Sequence, residues 1–299
     1  MSDLSSREIG RLLKRAIALK SGRDAHACPL IGRSIGLIFE KASTRTRVSC
    51  EVGIYQLGAQ SIYLTPKDIQ IGRGETVRDT AKVLSRYLDA IVMRTFSHHT
   101  IAEFGSHASI PVINGLSDLH HPCQALADLM TIIEKKGRLK GISLAYVGDG
   151  NNVANSLIEA SSITGIALSM ACPGGYEPPA EILRRSRALS RRAVSIFRDP
   201  RDAVSGADAV YTDVWVSMGQ EQEALKKKKK FRSYQLNREL LSHARKDAIV
   251  LHCLPAHRGE EITDDVIDGP QSVVYDQAEN RLHTQKALLE FLLAHEHSS

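Results

Sequence analysis

Short apolar runs alternate with helix-period segments from one end of the chain to the other, and this alternation restricts the fold more than any other feature. Apolar runs at 35–39, 61–64, 90–93 and 110–113 are separated by helical patterns at 44–57 and 77–88, and a long one follows at 121–135. The order β-α-β-α with short connections requires a parallel sheet covered by helices. The polar, glycine-bearing stretch 135–141 then interrupts the pattern, and a second series follows: strands at 143–147, 167–171, 209–213, 248–251 and 273–275, with helices at 153–162 and after Pro179. At 299 residues the chain is long enough for two domains. The expectation is α/β, two doubly wound parallel-sheet domains with the active site in the cleft between them, where strand carboxyl ends leave room for a ligand. The domains are expected at 1–137 and 138–280. A final helix at 285–294 is apolar at Leu288, Leu289, Leu292 and Leu293, so the segment from about 281 to 299 is expected to pack back on the first domain.

Composition narrows the function classes. No apolar run approaches the roughly 18 residues of a membrane span, so no membrane partner is expected. Five cysteines, at 28, 50, 123, 172 and 253, are odd in number and irregular in spacing, with no C-x-x-C. That argues against a disulfide framework and a zinc site, and for a reducing compartment. Residues 4–19 read as an amphipathic helix rather than a leader, with Leu4, Ile9, Leu12, Leu13 and Ile17 near one face, so the expected location is cytoplasmic. The net charge of +5 suits an anionic small molecule or nucleic acid alike. The bases are scattered apart from the lysine run 226–230, which has no aromatic interleaving to stack bases; it reads as a solvated face, and no nucleic acid is expected.

The strongest chemical signal is Ser43-Thr44-Arg45-Thr46-Arg47, placed where a buried strand ends and a helix begins. Ser43 or Thr44 is a natural N-cap, and the first N–H groups of the helix with its dipole attract an anion. Arg45 and Arg47 can add forked hydrogen bonds suited to phosphate. Arg94 projects from the carboxyl end of another strand. His121 and Gln124 stand three apart at a helix start, hence on one face, able to donate to an oxyanion and accept from an amide. Gly148-Asp149-Gly150-Asn151-Asn152 could be half of a dinucleotide fingerprint, but the third glycine is missing and the next strand ends in Cys172-Pro173 without a ribose-binding acid. Asp213 ends a strand, where an acid can pair with an ammonium. Cys253 follows another strand, and each of these residues alone has an ordinary structural explanation.

Together they resemble the aspartate and ornithine carbamoyltransferases. Ser43-Thr44-Arg45-Thr46-Arg47 is similar to that family's carbamoyl-phosphate signature, and His121-Pro122-Cys123-Gln124 to its H-P-x-Q segment. Asp213-Val214-Trp215-Val216-Ser217-Met218-Gly219 and His252-Cys253-Leu254-Pro255 resemble the ornithine branch. Four ordered motifs are more specific than any one of them. The resemblance implies that Ser43, Thr44, Arg45, Thr46, Gln70, Arg94, His121, Gln124, Cys253, Leu254 and Arg281 bind carbamoyl phosphate. It implies that Asn152, Asp213, Ser217 and Met218 bind ornithine, and that Arg94, His121, Asp213 and Cys253 carry catalysis. It also implies a homotrimer, with Gln70 reaching the neighbouring subunit's site, and no cofactor or metal.

The implied reaction moves the carbamoyl group of carbamoyl phosphate to the side-chain amine of L-ornithine, giving L-citrulline and phosphate in arginine metabolism. Rival acceptors are putrescine, an acylated ornithine and aspartate. The Asp213–Gly219 segment favours a free α-amino acid head over the first two, and aspartate would need a basic cluster for its second carboxylate. A nucleotide-dependent dehydrogenase and a non-catalytic regulatory or nucleic-acid-binding protein on the same fold are the more distant alternatives.

Overall fold

The computed structural model describes residues 1–22, 28–69, 74–190, 193–216 and 224–294. The chain forms two compact units: Arg7–Leu126 with the chain from Glu279 onward, and Met1–Ser6 with Ala127–Ala278. The division falls inside a helix, earlier than the polar segment at 135–141.

In the first unit, helix α1 (Ser6–Lys20) precedes strand β1 (Ser34–Phe39), helix α2 (Thr44–Gln56) and strand β2 (Gln60–Leu64). Helix α3 (Val77–Leu84), strand β3 (Ala90–Arg94), helix α4 (His98–His107), strand β4 (Val112–Leu116) and helix α5 (Pro122–Lys136) follow. The sheet order is β2-β1-β3-β4, all parallel. Chain order reverses between β1 and β3, so the loops after these two central strands diverge from a topological switch point. On one face Ile38, Ile91 and Met93 join Ala81, Ile101 and Phe104 in a single core. Between β3 and β4 the register shifts at Met93/Arg94, setting Arg94 opposite Leu116. Gly115 lies at this irregularity, where a Cβ would meet the Met93 carbonyl at 3.1 Å. The extra residue, Gly115, is on β4, so it is β4 that bends there, beside the end of β3 that carries Arg94.

The second unit contains strand β5 (Ser143–Val147), helix α6 (Asn152–Thr164), strand β6 (Ala167–Ala171), helix α7 (Ala180–Leu189) and strand β7 (Val194–Phe197). It continues with helix α8 (Pro200–Val204), strand β8 (Ala209–Thr212), helix α9 (Ala224–Phe231), helix α10 (Arg238–Leu241), strand β9 (Ile249–Leu251) and helix α11 (Asp264–Ile267). The parallel order β7-β6-β5-β8-β9 puts its switch point between β5 and β8. Trp215, Phe231 and Tyr234 pack with Val250 and Ile262 in the core of this unit.

The last helix, α12 (Val274–Leu293), corrects the expectation of a strand at 273–275 followed by a helix from 285. Only Ser272 bridges to Val250, and the helix begins two residues later. Its buried stripe has helical spacing but is written in polar residues: Gln277, Asn280, Arg281 and Thr284. An apolar-period search passes over such a stripe. Within the first unit α12 presses on α2, where a Cβ on Gly53 would meet Lys286 at 3.2 Å and Leu282 at 3.3 Å. The forked Arg15–Glu290 pair fastens it to α1. Short elements with little periodicity of their own, α4, β7, α8, α10 and α11, were also not legible from pattern.

Gly150, in the turn after β5, has a different job from the one a dinucleotide fingerprint suggests. A Cβ there would lie 2.3 Å from the Pro178 nitrogen, 2.5 Å from the Glu177 carbonyl carbon and 2.7 Å from the Tyr176 oxygen. The chain's own backbone occupies the approach that a pyrophosphate would need. Since backbone cannot yield as a side-chain tip can, Gly150→Ala is expected to cost about 1–3 kcal/mol, the range for overpacking. Urea denaturation would measure it, and an unchanged midpoint would show that the 176–178 segment gives way freely.

Candidate active site

The first unit gathers its polar residues at the β1/β3 switch point. Ser43 is the N-cap of α2, its Oγ accepting from the Thr46 N–H at 3.3 Å. Thr44 is exposed at the first helical position, Arg45 is half-buried and Thr46 is buried. The Arg281 guanidinium, itself buried, donates from Nη2 to Thr46 Oγ1 at 2.8 Å and from Nη1 to Gln124 Oε1 at 3.3 Å. Its Nε–H is buried and has no acceptor among the described residues. One arginine on α12 thereby joins the start of α2 to the start of α5.

Pro122 suits the first position of α5, where the missing N–H is not needed. His121 just before it accepts the Gln124 and Ala125 N–H groups on its carbonyl. Cys123 turns the other way, donating its thiol to the Asn114 carbonyl at 3.4 Å, so His121 and Gln124 share one face without it. Burial holds the His121 imidazole well below its ordinary pKa, and the charges of Arg281, Arg94 and Arg45 add to the effect. His121 is therefore neutral, and able to donate one N–H rather than compete as a cation.

Two features of this cluster were not legible from motif. Arg47 does not join the cluster: it lies over the Tyr63 ring at 3.7 Å and pairs with Glu51 at 3.0 Å, on the exposed side of α2. The phosphate role considered for it falls away, leaving Arg45. Glu40, meanwhile, stitches the switch point together. Its N–H donates to the Arg94 carbonyl at 2.8 Å and its Oε2 accepts the Phe96 N–H at 2.8 Å. Gln70 lies outside the described residues.

The second unit builds its own polar cluster around a buried carboxylate. Asp213 follows β8, and its Oδ1 accepts the Cys253 thiol at 3.0 Å while its Oδ2 accepts the Asn151 Nδ2–H at 2.7 Å. Asn152 opens α6 beside this pair, but it is Asn151, missed by motif, that touches the acid. Ser217 and Met218 lie outside the described residues.

Leu254, next to Cys253, holds φ at +55°, a left-handed conformation that costs a leucine roughly 1–3 kcal/mol. Its N–H donates to His252 Nδ1 at 2.9 Å, which fixes the His252 proton on Nε2, facing Glu261 Oε1 at 3.2 Å. The His252 N–H donates to Gln277 Oε1 at 2.9 Å, and Gln277 Nε2 donates to Asp128 at 2.6 Å and the Tyr211 hydroxyl at 3.2 Å. This buried network over-determines the strained turn and sets where Cys253 points. Asp213, His252 and Cys253 lie close enough to suggest a metal triad, but both ring nitrogens of His252 are already engaged.

The lysine run also differs from expectation. In α9, Lys228 pairs with Glu260 at the surface, but Lys227 is buried and donates to Asp149 at 2.6 Å. Lys227 and Lys230 both lie over the Tyr176 ring. One residue of the run is thus structural, tying α9 to the turn that carries Asn151.

Comparison with known proteins identifies the family. Residues 1–134 match the model of the aspartate/ornithine carbamoyltransferase carbamoyl-P binding domain, and residues 140–292 that of the Asp/Orn binding domain. The chain belongs to the aspartate/ornithine carbamoyltransferase family. It is 56% identical over 293 residues to the ornithine carbamoyltransferase of Syntrophus aciditrophicus, covering 97% of each chain. It is 52% identical over 297 residues to the anabolic ornithine carbamoyltransferase of Pseudomonas aeruginosa, covering 99% of this chain and 96% of that one. Among solved structures it is similar to ornithine carbamoyltransferase from Pyrococcus furiosus, with a TM-score of 0.94 at 49% identity, over 98% of this chain and 95% of the other. In this family member both sheets place their polar clusters at switch points.

Burial pushes the Asp149 carboxyl above its usual range, against the pull of the Lys227 ammonium. Lys227→Met removes that pull and leaves a buried charge alone, which should cost about 3–5 kcal/mol. An acid whose folded pKa is raised is penalised only where it must ionise. The deficit should therefore be full at about pH 8 and shrink as pH falls towards about 4.5, near the ordinary carboxylate range. Urea denaturation of the variant at both pH values would check this, and equal deficits would rule out the electrostatic cause.

Proposed function

We propose that this protein transfers the carbamoyl group of carbamoyl phosphate to the side-chain amine of L-ornithine, releasing L-citrulline and phosphate. What carries this function is the buried group of Thr46, Gln124 and Arg281 with His121 beside it. It is an anion and oxyanion site, and Thr46, His121 and Gln124 lie in the portion that matches the carbamoyl-P binding domain, with Arg281 reaching them from the last helix. The acceptor is read from the curated relatives, which are ornithine carbamoyltransferases, and from Asp213, an acid suited to an α-ammonium.

Phosphate is a good leaving group, so the amine can attack the carbonyl carbon directly through a tetrahedral intermediate, without metal, organic cofactor or covalent intermediate. Ser43, Thr44, Arg45 and Arg94 hold the phosphate, with Gln70 supplied by a neighbouring subunit. Thr46 accepts from Arg281, which leaves its own O–H proton to donate, with Arg94 and neutral His121, to the developing oxyanion. Gln124, Arg281 and the Leu254 carbonyl orient the carbamoyl group. Asn152, Ser217 and Met218 complete the amino-acid site with Asp213. The thiol of Cys253 contacts the reacting amine and carbamoyl NH2. Its bond to Asp213 makes the reader of the α-ammonium and the reader of the amine one hydrogen-bonded unit.

We also assign the protein to arginine biosynthesis, in line with the relative named anabolic, and to the cytoplasm, in line with its five free cysteines. No helix among the described residues is long and apolar enough to cross a membrane. Assembly as a homotrimer is supported by an exposed apolar face: Val48, Val52 and Tyr55 line one side of α2, and Ile62 lies on the edge strand β2.

A ureido-product assay with carbamoyl phosphate should give strong turnover with ornithine and little with putrescine, acetylornithine or aspartate. Equal turnover with another amine would overturn the roles given to Asn152, Asp213 and Ser217.

At pH 7 an alkyl ammonium with pKa near 10.4 needs about 4–5 kcal/mol to lose its proton. The rate at saturation should therefore climb from about pH 6 to about 8.5, below that reference value. Because His121 is already neutral there, His121→Gln should lower kcat by about 10²–10³ without changing the shape of the profile. Loss of the rising limb in the variant would transfer that limb to His121.

A further inference from the structure

The family resemblance gives a role to the second asparagine of the Asn151-Asn152 pair and none to the first. We propose that Asn151 is the positioning residue for Asp213, holding the carboxylate in the rotamer that receives the substrate's ammonium and so setting the affinity for ornithine. The inference rests on the ornithine reading above and adds a residue to it.

Asn151 has two ends, and both are committed. As N-cap of α6 its Oδ1 accepts the Val153 N–H at 3.0 Å and the Ala154 N–H at 3.1 Å, with the Tyr146 hydroxyl at 3.3 Å. An oxygen that meets two backbone N–H groups decides which way round the amide lies. Nδ2 must then face Asp213, where only a donor is welcome, and it donates at 2.7 Å. The other carboxylate oxygen takes the Cys253 thiol at 3.0 Å, so the acid is gripped on both sides. Each oxygen keeps a lone pair for an incoming ammonium.

The anchor is itself rigid. The Asn151 N–H donates to the Asp149 carbonyl at 2.8 Å, and the Gly150 N–H to the Tyr176 carbonyl at 2.9 Å. The Tyr146 hydroxyl donates to the Asp149 carbonyl at 2.9 Å. Burial, with the charges of Asp213 and Asp149, keeps this phenol far above its ordinary pKa and hence protonated. Lys227 fixes the same turn through Asp149. The turn after β5 therefore cannot shift without uncapping α6, and through Asn151 it holds the residue after β8 across the switch point. A carboxylate held only by a thiol would sample its other rotamers.

Two substitutions separate this role from capping, because serine and aspartate cap helices nearly as well as asparagine. Asn151→Ser keeps a cap but is too short to reach Asp213. Asn151→Asp keeps the cap and sets an oxygen, not an N–H, against the acid. A hydrogen bond to a charged group is worth about 1.5–3 kcal/mol, or roughly 10–100-fold. Asn151→Ser should raise the KM for ornithine at least about tenfold, leave the KM for carbamoyl phosphate within about twofold, and keep Tm within about 2 °C. Asn151→Asp should lose more, about a hundredfold in kcat/KM for ornithine at pH 8, from like-charge repulsion.

An unchanged ornithine KM in both variants overturns the proposal. So does a parallel rise in both KM values with a lowered Tm, the mark of a merely structural residue. A crystal structure of ligand-free Asn151→Ser decides independently of turnover: Asp213 leaving its rotamer supports the proposal, and Asp213 unmoved refutes it. If the unmodified protein turns over no ornithine, the function reading fails, and the crystal structure still decides the place of Asn151.

Discussion

A carboxylate buried in a protein must be met by donors, and the second unit is organised around meeting Asp213. Its strand order supplies the place, since loops after β5 and β8 part at the switch point and leave room between them. Asn151 comes from one loop and Asp213 from the other, and Cys253 arrives at the end of β9, next to β8 in the sheet. The strain at Leu254 and the polar network from Asp128 through Gln277 to His252 and Glu261 belong to the same requirement. They hold the Cys253 turn so that its thiol reaches the acid. Its members are linked in one buried chain of hydrogen bonds, so removing one strands its neighbours.

Much of the architecture was legible in the sequence because buried parallel strands carry a plain signal. Runs such as 35–39 and 144–147 are free of charged residues and largely apolar, as strands covered on both faces must be. The start of α12 was not legible, for an instructive reason. Its buried face is Gln277, Asn280, Arg281 and Thr284, so its helical period exists in burial and not in hydrophobicity. Val273-Val274-Tyr275 then imitates a strand by propensity alone, which tertiary context overrides. The helix that evades a pattern search is the one that carries Arg281 into the first unit's cluster and Gln277 into the second unit's network.

The candidate site was legible in a different way. Ser43, Arg94, His121, Gln124 and Asp213 could each be placed at a strand end or helix start, positions where side chains are available for chemistry. What position alone did not convey was which neighbour each would use. Arg45 and Arg47 are two apart on a helix, and only the fold leaves the first half-buried with its charge felt at His121 and lays the second over Tyr63. Lys227 has the same identity as its neighbours in the run, and only burial against Asp149 distinguishes it. Asn151 and Asn152 are likewise identical by type; capping geometry sends the first to Asp213.

The two halves also solve opposite electrostatic problems. Around His121 burial, reinforced by nearby arginines, keeps a proton off the imidazole. Around Tyr146 burial, reinforced by nearby carboxylates, keeps the proton on the phenol. On the proposed reaction this opposition is useful. A cationic half suits a phosphate dianion that stays negative through the reaction, and a neutral imidazole can still donate where the oxyanion appears. An anionic half suits an ammonium, and a phenol that cannot ionise keeps the turn beneath it fixed. Binding of either substrate thus adds the charge its half lacks, while the oxyanion, which exists only along the reaction path, meets Thr46, Arg94 and His121. Interactions of that last kind lower the barrier rather than merely tightening the substrate complex.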